Sequence, residues 1–326
     1  MVKWQAIGPL SIMLLGENLF HDNISVCRYE LDELEKLLGK DQDYWSSVNF
    51  SLSYKNGYWL KLDFEVNSGE RPWEKAVAQV SLFLQALGLF KSTLSVLAVG
   101  GLYVKRMEEA GGASGHFGWE NTIVGRKHYF LKKEEYDDFI NLLSKYERFW
   151  HDNKITDQTS KQLKRINLAR HYFLRNYQTK SLVDRHISLS VALEALYGEG
   201  QSELQYRYSN RAALLLGDDI KIRKTVYSNV LRAYKKRSSI LHGGISWILE
   251  PKEILSYTEI IRQTILRCIS LYTQDYLNIG KTLDECTLDP EKHSRLLKDA
   301  KTLFGSSSKY KEPQESPSRR SWAIRN

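Results

Sequence analysis

Tyr234-Lys235-Lys236-Arg237-Ser238-Ser239-Ile240-Leu241-His242-Gly243 closes a helical stretch, and its reading decides the second half of this 326-residue chain. Upstream, Ile222, Val226, Val230 and Ala233 recur at steps of four and three, which predicts an amphipathic helix from Asp219 to about Leu241. Extending that stripe reaches Arg237, so its guanidinium is expected to point inward, toward packing or toward a partner. An inward guanidinium must find carboxylates, carbonyls or phosphate, because an unpaired buried charge is prohibitive. Glu194, on an earlier helix, is one candidate mate. His242 follows five positions later, about 140° round an ideal helix from Arg237. The pair converges on one ligand only if the helix ends there or a second chain contributes, and Gly243-Gly244 supplies an ending.

The chemistry of that pair is specific. Arginine stays charged and presents a planar fork that fits phosphate oxygens, while histidine titrates near neutrality and can accept or deliver a proton. Together they are a minimal kit for cutting a phosphodiester with no cofactor and no metal. The same residues also read as a structural salt bridge to Glu194 followed by a capping histidine.

Outward from this point, helical periodicity continues in both directions. Tyr136, Phe139, Leu142, Leu143, Tyr146 and Phe149 predict a helix over Lys133 to Trp150, with acidic residues early where the macrodipole favours them. Further helices are expected at about Ser160–Tyr177, Leu182–Tyr197 and Glu203–Leu216, with Gly198 and Gly217 as stops. The first half reads differently. Phe50, Leu52 and Tyr54 alternate with polar residues, Asn56-Gly57 suits a tight turn, and Leu60, Leu62, Phe64 and Val66 alternate again, which predicts a hairpin. Ile7 to Leu15 reads as a first strand, Glu74 to Leu87 as a helix, and Leu94 to Val104 as a buried strand or strand pair. Gly111-Gly112-Ala113-Ser114-Gly115-His116-Phe117-Gly118 lacks the ending of a phosphate-binding loop and reads as a mobile loop. The fold class is therefore α+β: a β-rich α+β domain over 1–131, or a small sandwich there, and a helical domain over 132–304. Residues 305–326 are polar and rich in Pro and Ser, so a disordered basic tail is expected.

Composition sets limits on function. The hydrophobic fraction of 42% is enough for a sizeable core. No apolar run reaches the roughly 18 residues of a membrane helix, and the opening strand lacks a cleavage site behind it, so no membrane association and a cytoplasmic address are expected. The three cysteines, Cys27, Cys268 and Cys286, are too few and scattered for a disulfide framework or a structural zinc site. The net charge is +8, and residues 152–246 alone hold 17 Lys/Arg against 8 Asp/Glu. The positive surplus thus sits where the Arg/His pair sits, as a phosphate-backbone binder requires, although a solvated helical surface has the same composition.

Three blocks in order carry a resemblance: Asp184-Arg185-His186-Ile187-Ser188-Leu189 with Ala192-Leu193-Glu194-Ala195-Leu196, then Arg211-Ala212-Ala213-Leu214-Leu215-Leu216, then the closing stretch through His242-Gly243. Over about residues 155–280 the chain resembles the ApeA-like branch of the HEPN domains. The resemblance implies a helical bundle that dimerises so that the arginine and histidine of both protomers meet in one cleft, with metal-independent endoribonuclease activity in antiviral defence or toxin systems. It implies that Arg237 neutralises the scissile phosphate and that His242 is the general base or acid. Ser238 stands where many relatives carry Asn, Asp or His. Glu194, Arg211 and Tyr234 are implied as supporting residues, with helix-to-helix pairing expected of Glu194 and Arg211, and Arg232, Lys235 and Lys236 as RNA contacts. Some HEPN domains bind RNA, nucleotide or a protein partner without cutting, which is the alternative. The 1–131 domain is then the expected receiver of a trigger such as a viral protein, and an antitoxin is a further expected partner.

Overall fold

The computed structural model describes residues 1–10, 12–15, 18–38, 57–93, 95, 97, 102–107, 112–115, 129–198, 203–243 and 249–305. Two compact units emerge, one formed by Met1–Thr156 with Leu174–Ser181, the other by Asp157–Phe173 and the chain from Leu182 onward. The division falls at 156/157, not at 131/132, because the helix after residue 132 packs with the first unit.

That unit is α+β. Strands β1 (Val2–Leu10), β3 (Leu19–His21), β4 (Ile24–Arg28), β5 (Tyr58–Val66), β6 (Leu102–Arg106) and β7 (Gly112–Gly115) form one antiparallel sheet in the order β3-β4-β5-β1-β6-β7. Strand β2 (Ile12–Leu15) pairs in parallel with β8 (Tyr129–Lys132). The predicted alternation on β5 is present: Leu60, Leu62, Phe64 and Val66 are buried, whereas Lys61, Asp63 and Glu65 are not. Its neighbours are β4 and β1, which occupy both edges of Tyr58–Leu62. The first arm of the expected hairpin and Asn56 lie outside the described residues. Ile7, Trp59 and Tyr103 share a cluster with Leu34 and Leu38 of helix α1 (Leu31–Leu38). The period of two puts Leu60 and Leu62 on the other face.

Helix α2 (Pro72–Phe90) packs against β5 and β6 and against α3 (Tyr136–Asp152), which follows a short 3-10 turn at Lys133–Glu135. Tyr146 of α3 donates to Gln85 Oε1 at 2.7 Å, and Tyr129 donates to the Leu87 carbonyl at 2.9 Å. Part of the glycine-rich segment is ordered pairing: Gly112–Gly115 is the edge strand β7, bonded to β6, where a loop was expected. Small residues can extend a sheet edge as readily as they form a loop, and composition alone does not separate the two. The rest of that segment and the tail beyond Gly305 lie outside the described residues.

The second unit is helical. Its elements are α4 (Lys161–Tyr177, whose last turn belongs to the first unit), α5 (Leu182–Tyr197), α6 (Leu204–Leu216), α7 (Ile220–Leu241), α8 (Pro251–Tyr272), α9 (Ile279–Glu285) and α10 (Pro290–Asp299). Helix α7 starts as its sequence predicts, with the Asp219 carboxylate accepting from the Ile222 N–H at 2.8 Å. Helix α8 lies at the centre, with every residue from Tyr257 to Leu271 buried. A helix buried all round must satisfy its polar side chains internally, and Glu259 accepts two bonds from Arg262, at 2.8 and 2.7 Å, and one from Gln263 at 3.0 Å. Among the described residues no helix is long and apolar enough to cross a membrane.

Candidate functional site

Helices α5, α6 and α7 bring Glu194, Tyr208, Tyr234 and Arg237 together toward the C-terminal end of α7, whereas His242 stands beyond them at the helix cap. The stripe Val226, Val230 and Ala233 is buried against the bundle, and Arg237 continues it inward, as its spacing predicts. Its Nη2 donates to Glu194 Oε2 of α5 at 3.1 Å, with both side chains about a quarter exposed (24% and 25%). The Arg237 Nε is buried and meets no acceptor among the described residues. Burial pushes the Glu194 carboxyl above its ordinary range, against the pull of the Arg237 charge. The pair is therefore a partly solvated contact at which, among the described residues, Nη2 of the fork is engaged and Nε is not.

Aromatic hydroxyls surround the pair. Tyr234 of α7 meets Tyr208 of α6 edge to face with centroids 5.9 Å apart. Burial pushes the Tyr208 hydroxyl up to about 12, with Glu194 and Tyr234 acting in the same direction and Arg237 opposing. Tyr257 of α8 donates to Ser190 Oγ at 3.5 Å, and Ser190 donates to the His186 carbonyl at 2.8 Å. His186 Nε2 in turn donates to the Ala233 carbonyl at 2.9 Å, tying α5 to α7. Burial holds that imidazole below its ordinary range, so it stays neutral as a strut.

His242 occupies the cap of α7, with φ −98° and ψ 18°, and its N–H donates to the Ser238 carbonyl at 3.1 Å. Its side chain is exposed. Gly243 follows at φ +71°, the left-handed conformation that terminates helices and that glycine adopts without a Cβ penalty. The helix thus ends at Leu241, just ahead of the two glycines, as they predict.

The supporting residues divide. Arg211 is buried and structural: Nε and Nη2 grip the Asp284 carboxylate at 2.8 and 2.6 Å, and Nη1 donates to the Tyr197 carbonyl at 2.5 Å. Lys236 does not face solvent as an RNA contact would. Its ammonium sits 2.6 Å from Glu253, and its side chain is 12% exposed. The reason is angular, since residue 236 follows the outward Lys235 by about 100° and turns toward the start of α8. Burial works upward on Glu253, but Lys236, the Glu250 backbone and Arg232 hold it below the usual carboxylate range. Ser238 is half-buried on the last turn. Arg232 and Lys235 are exposed.

Two residues on the same helix escaped the sequence reading. Lys221 and Lys224 are exposed and lie on the face of Arg232 and Lys235. Their signal was present as spacing by threes and fours, on the face opposite the apolar stripe. Tyr208 and Glu253 were missed for a different reason. Their contact with the site is long-range in sequence and follows from helix packing.

Among the described residues, no three His, Cys, Asp or Glu side chains gather as a metal site would require. No family model matches the chain, and no match is found among curated proteins or solved structures.

Proposed function

We propose that this protein is an endoribonuclease of the HEPN type, acting without a metal at a site completed by a second copy of the chain. The observation that carries the reading is the end of α7: an exposed His242 at the helix cap, preceded by an arginine whose Nε meets no acceptor among the described residues and which is held on one side by Glu194. A guanidinium carries five N–H donors, and the Glu194 contact uses one. Those left over suit the non-bridging oxygens of a phosphodiester.

The chemistry follows from these groups. The 2′-oxygen attacks phosphorus while the bond from phosphorus to the 5′-oxygen breaks, giving a 2′,3′-cyclic phosphate and a 5′-hydroxyl. His242 takes the proton from the 2′-hydroxyl, and the partner's His242 delivers one to the departing oxygen, so protons balance across the two-fold site. Arg237 neutralises charge that grows on the equatorial oxygens. The first unit is then the natural receiver of a trigger, such as a viral protein, and the defence or toxin-like role and cytoplasmic setting belong to this proposal.

The test is incubation of purified protein with labelled single-stranded RNA in EDTA, wild type beside His242→Ala, with product ends identified and molar mass measured by light scattering. Cleavage by a wild-type dimer alone, leaving cyclic phosphate ends, is expected. The Arg237–Glu194 contact also favours a second reading, in which the arginine is a structural strut and the bundle binds RNA, nucleotide or a protein without cutting. Salt-sensitive RNA binding with no cleavage by the wild type would select that reading.

A further inference from the structure

Helix α7 spans 22 residues, carries seven Lys and Arg and contains no Asp or Glu. Three of the seven are engaged by the second unit. Arg223 donates to the Gly217 carbonyl at 3.1 Å and contacts His293 at 3.1 Å, Lys236 pairs with Glu253, and Arg237 pairs with Glu194. The other four, Lys221, Lys224, Arg232 and Lys235, are all exposed, and none is in an ion pair among the described residues. At about 100° per residue these four fall within an arc of roughly 80°, with exposed Ser228 in the gap between them. They line one face over roughly 21 Å, and the same line extended by two turns arrives at His242.

Helix stability does not explain this arrangement. Like charges three and four residues apart repel, and Lys221 stands in the first turn, where the helix dipole disfavours a cation. A membrane surface is the other common partner of a basic helix, but that requires an apolar band beside the charges. On α7 Val226, Val230 and Ala233 are buried in the bundle, and the exposed apolar residues, Ile220 and Leu241, stand at opposite ends of the helix, too far apart to form one band.

We infer that the outward face of α7 is a track for the phosphate backbone of single-stranded RNA, which it delivers along the helix toward His242. The inference rests on the RNA reading of the preceding section and adds the path. Arg237 lies on the opposite side of α7 from the stripe. The track therefore supplies affinity and alignment, and it leaves the chemistry to the helix end.

The test uses the full chain carrying His242→Ala, to prevent cleavage, and a fluorescent oligouridylate as probe in EDTA across a salt series. Neutralising Lys221, Lys224, Arg232 and Lys235 to Gln should lower the slope of log affinity against log salt by about 3, since each phosphate contact on a single strand contributes about 0.7. Neutralising four exposed lysines elsewhere, Lys36, Lys161, Lys281 and Lys298, should leave the slope nearly unchanged. A Ser228→Lys variant closes the gap in the track and should tighten binding and steepen the slope by about 0.7. Equal losses in the two quadruple variants would overturn the track while leaving RNA binding intact. Absence of any salt-dependent binding by the protein with its lysines intact would overturn both the track and the nuclease reading. Sedimentation with phosphatidylserine vesicles in preference to the oligonucleotide would replace RNA by a lipid surface as the occupant.

Discussion

Glu194 holds a position that a mutation can interrogate without disturbing the core. Burial raises its carboxyl pKa in the folded chain, so the folded state prefers the protonated form more than the unfolded state does. The sign follows directly: this group's contribution to stability is fully present below the ordinary carboxylate pKa and is lost as pH rises through the raised value. Glu194→Gln removes that titration. The urea midpoint of the variant should therefore fall less than that of the wild type as pH rises through that window. An unchanged pH profile would mean that burial does not outweigh the pull of the Arg237 charge on this carboxyl. The residue scale also marks where sequence reading ends. The inward direction of Arg237 and its Glu194 mate were legible, because a stripe of apolar residues fixes a helix face. The engagement of Lys236 by Glu253 was not, because a partner 17 residues away on the next helix is set by packing angle and not by local pattern.

At the scale of elements, the sequence was most legible where periodicity is long. Leu182–Tyr197 and the span from the Asp219 cap to Leu241 are read from spacing and from the Gly198 and Gly243 stops, and the helices end there. Strand partners were less legible. The alternation in Tyr58–Val66 identifies a strand but does not say that β1, more than forty residues earlier, lies at its side, since register and neighbours depend on the whole sheet. Gly112–Gly115 shows the same limit, as an edge strand without apolar alternation carries no periodic signal. The end of α7 makes its own prediction. Gly243 sits at φ +71°, and a Cβ added there would have nothing within 4 Å, so Gly243→Ala meets no clash and carries only the cost of the left-handed backbone. We expect a loss of about 1 kcal/mol, read from thermal unfolding, as the last turn of α7 loosens. A neutral outcome would mean that the turn after His242 contributes nothing to helix termination.

On the scale of the whole molecule, the chain does not divide into two consecutive pieces. Helix α4 begins in one unit and ends in the other, and Leu174–Ser181 belongs with the first 156 residues. Tyr177 shows why. It is fully buried, its hydroxyl donates to the Gly88 carbonyl at 3.3 Å, and its own carbonyl accepts from Leu97 at 3.2 Å. Gly88 lets the ring approach, since a Cβ there would lie 2.6 Å from Tyr177 Cε2. Tyr177→Ala in the full chain removes this ring and should cost about 3–5 kcal/mol, the usual cost of truncating a buried aromatic. Urea unfolding of the variant beside the wild type measures the loss, and equal midpoints would make the return of the chain to the first unit incidental. The closed setting of α8 has a consequence of another kind. A helix with no face toward water, from Tyr257 to Leu271, cannot release its amide protons by fraying or by local breathing. Deuterium reaches those fifteen amides only when the surrounding helices part, so their exchange clock runs at the rate of the unit's global opening.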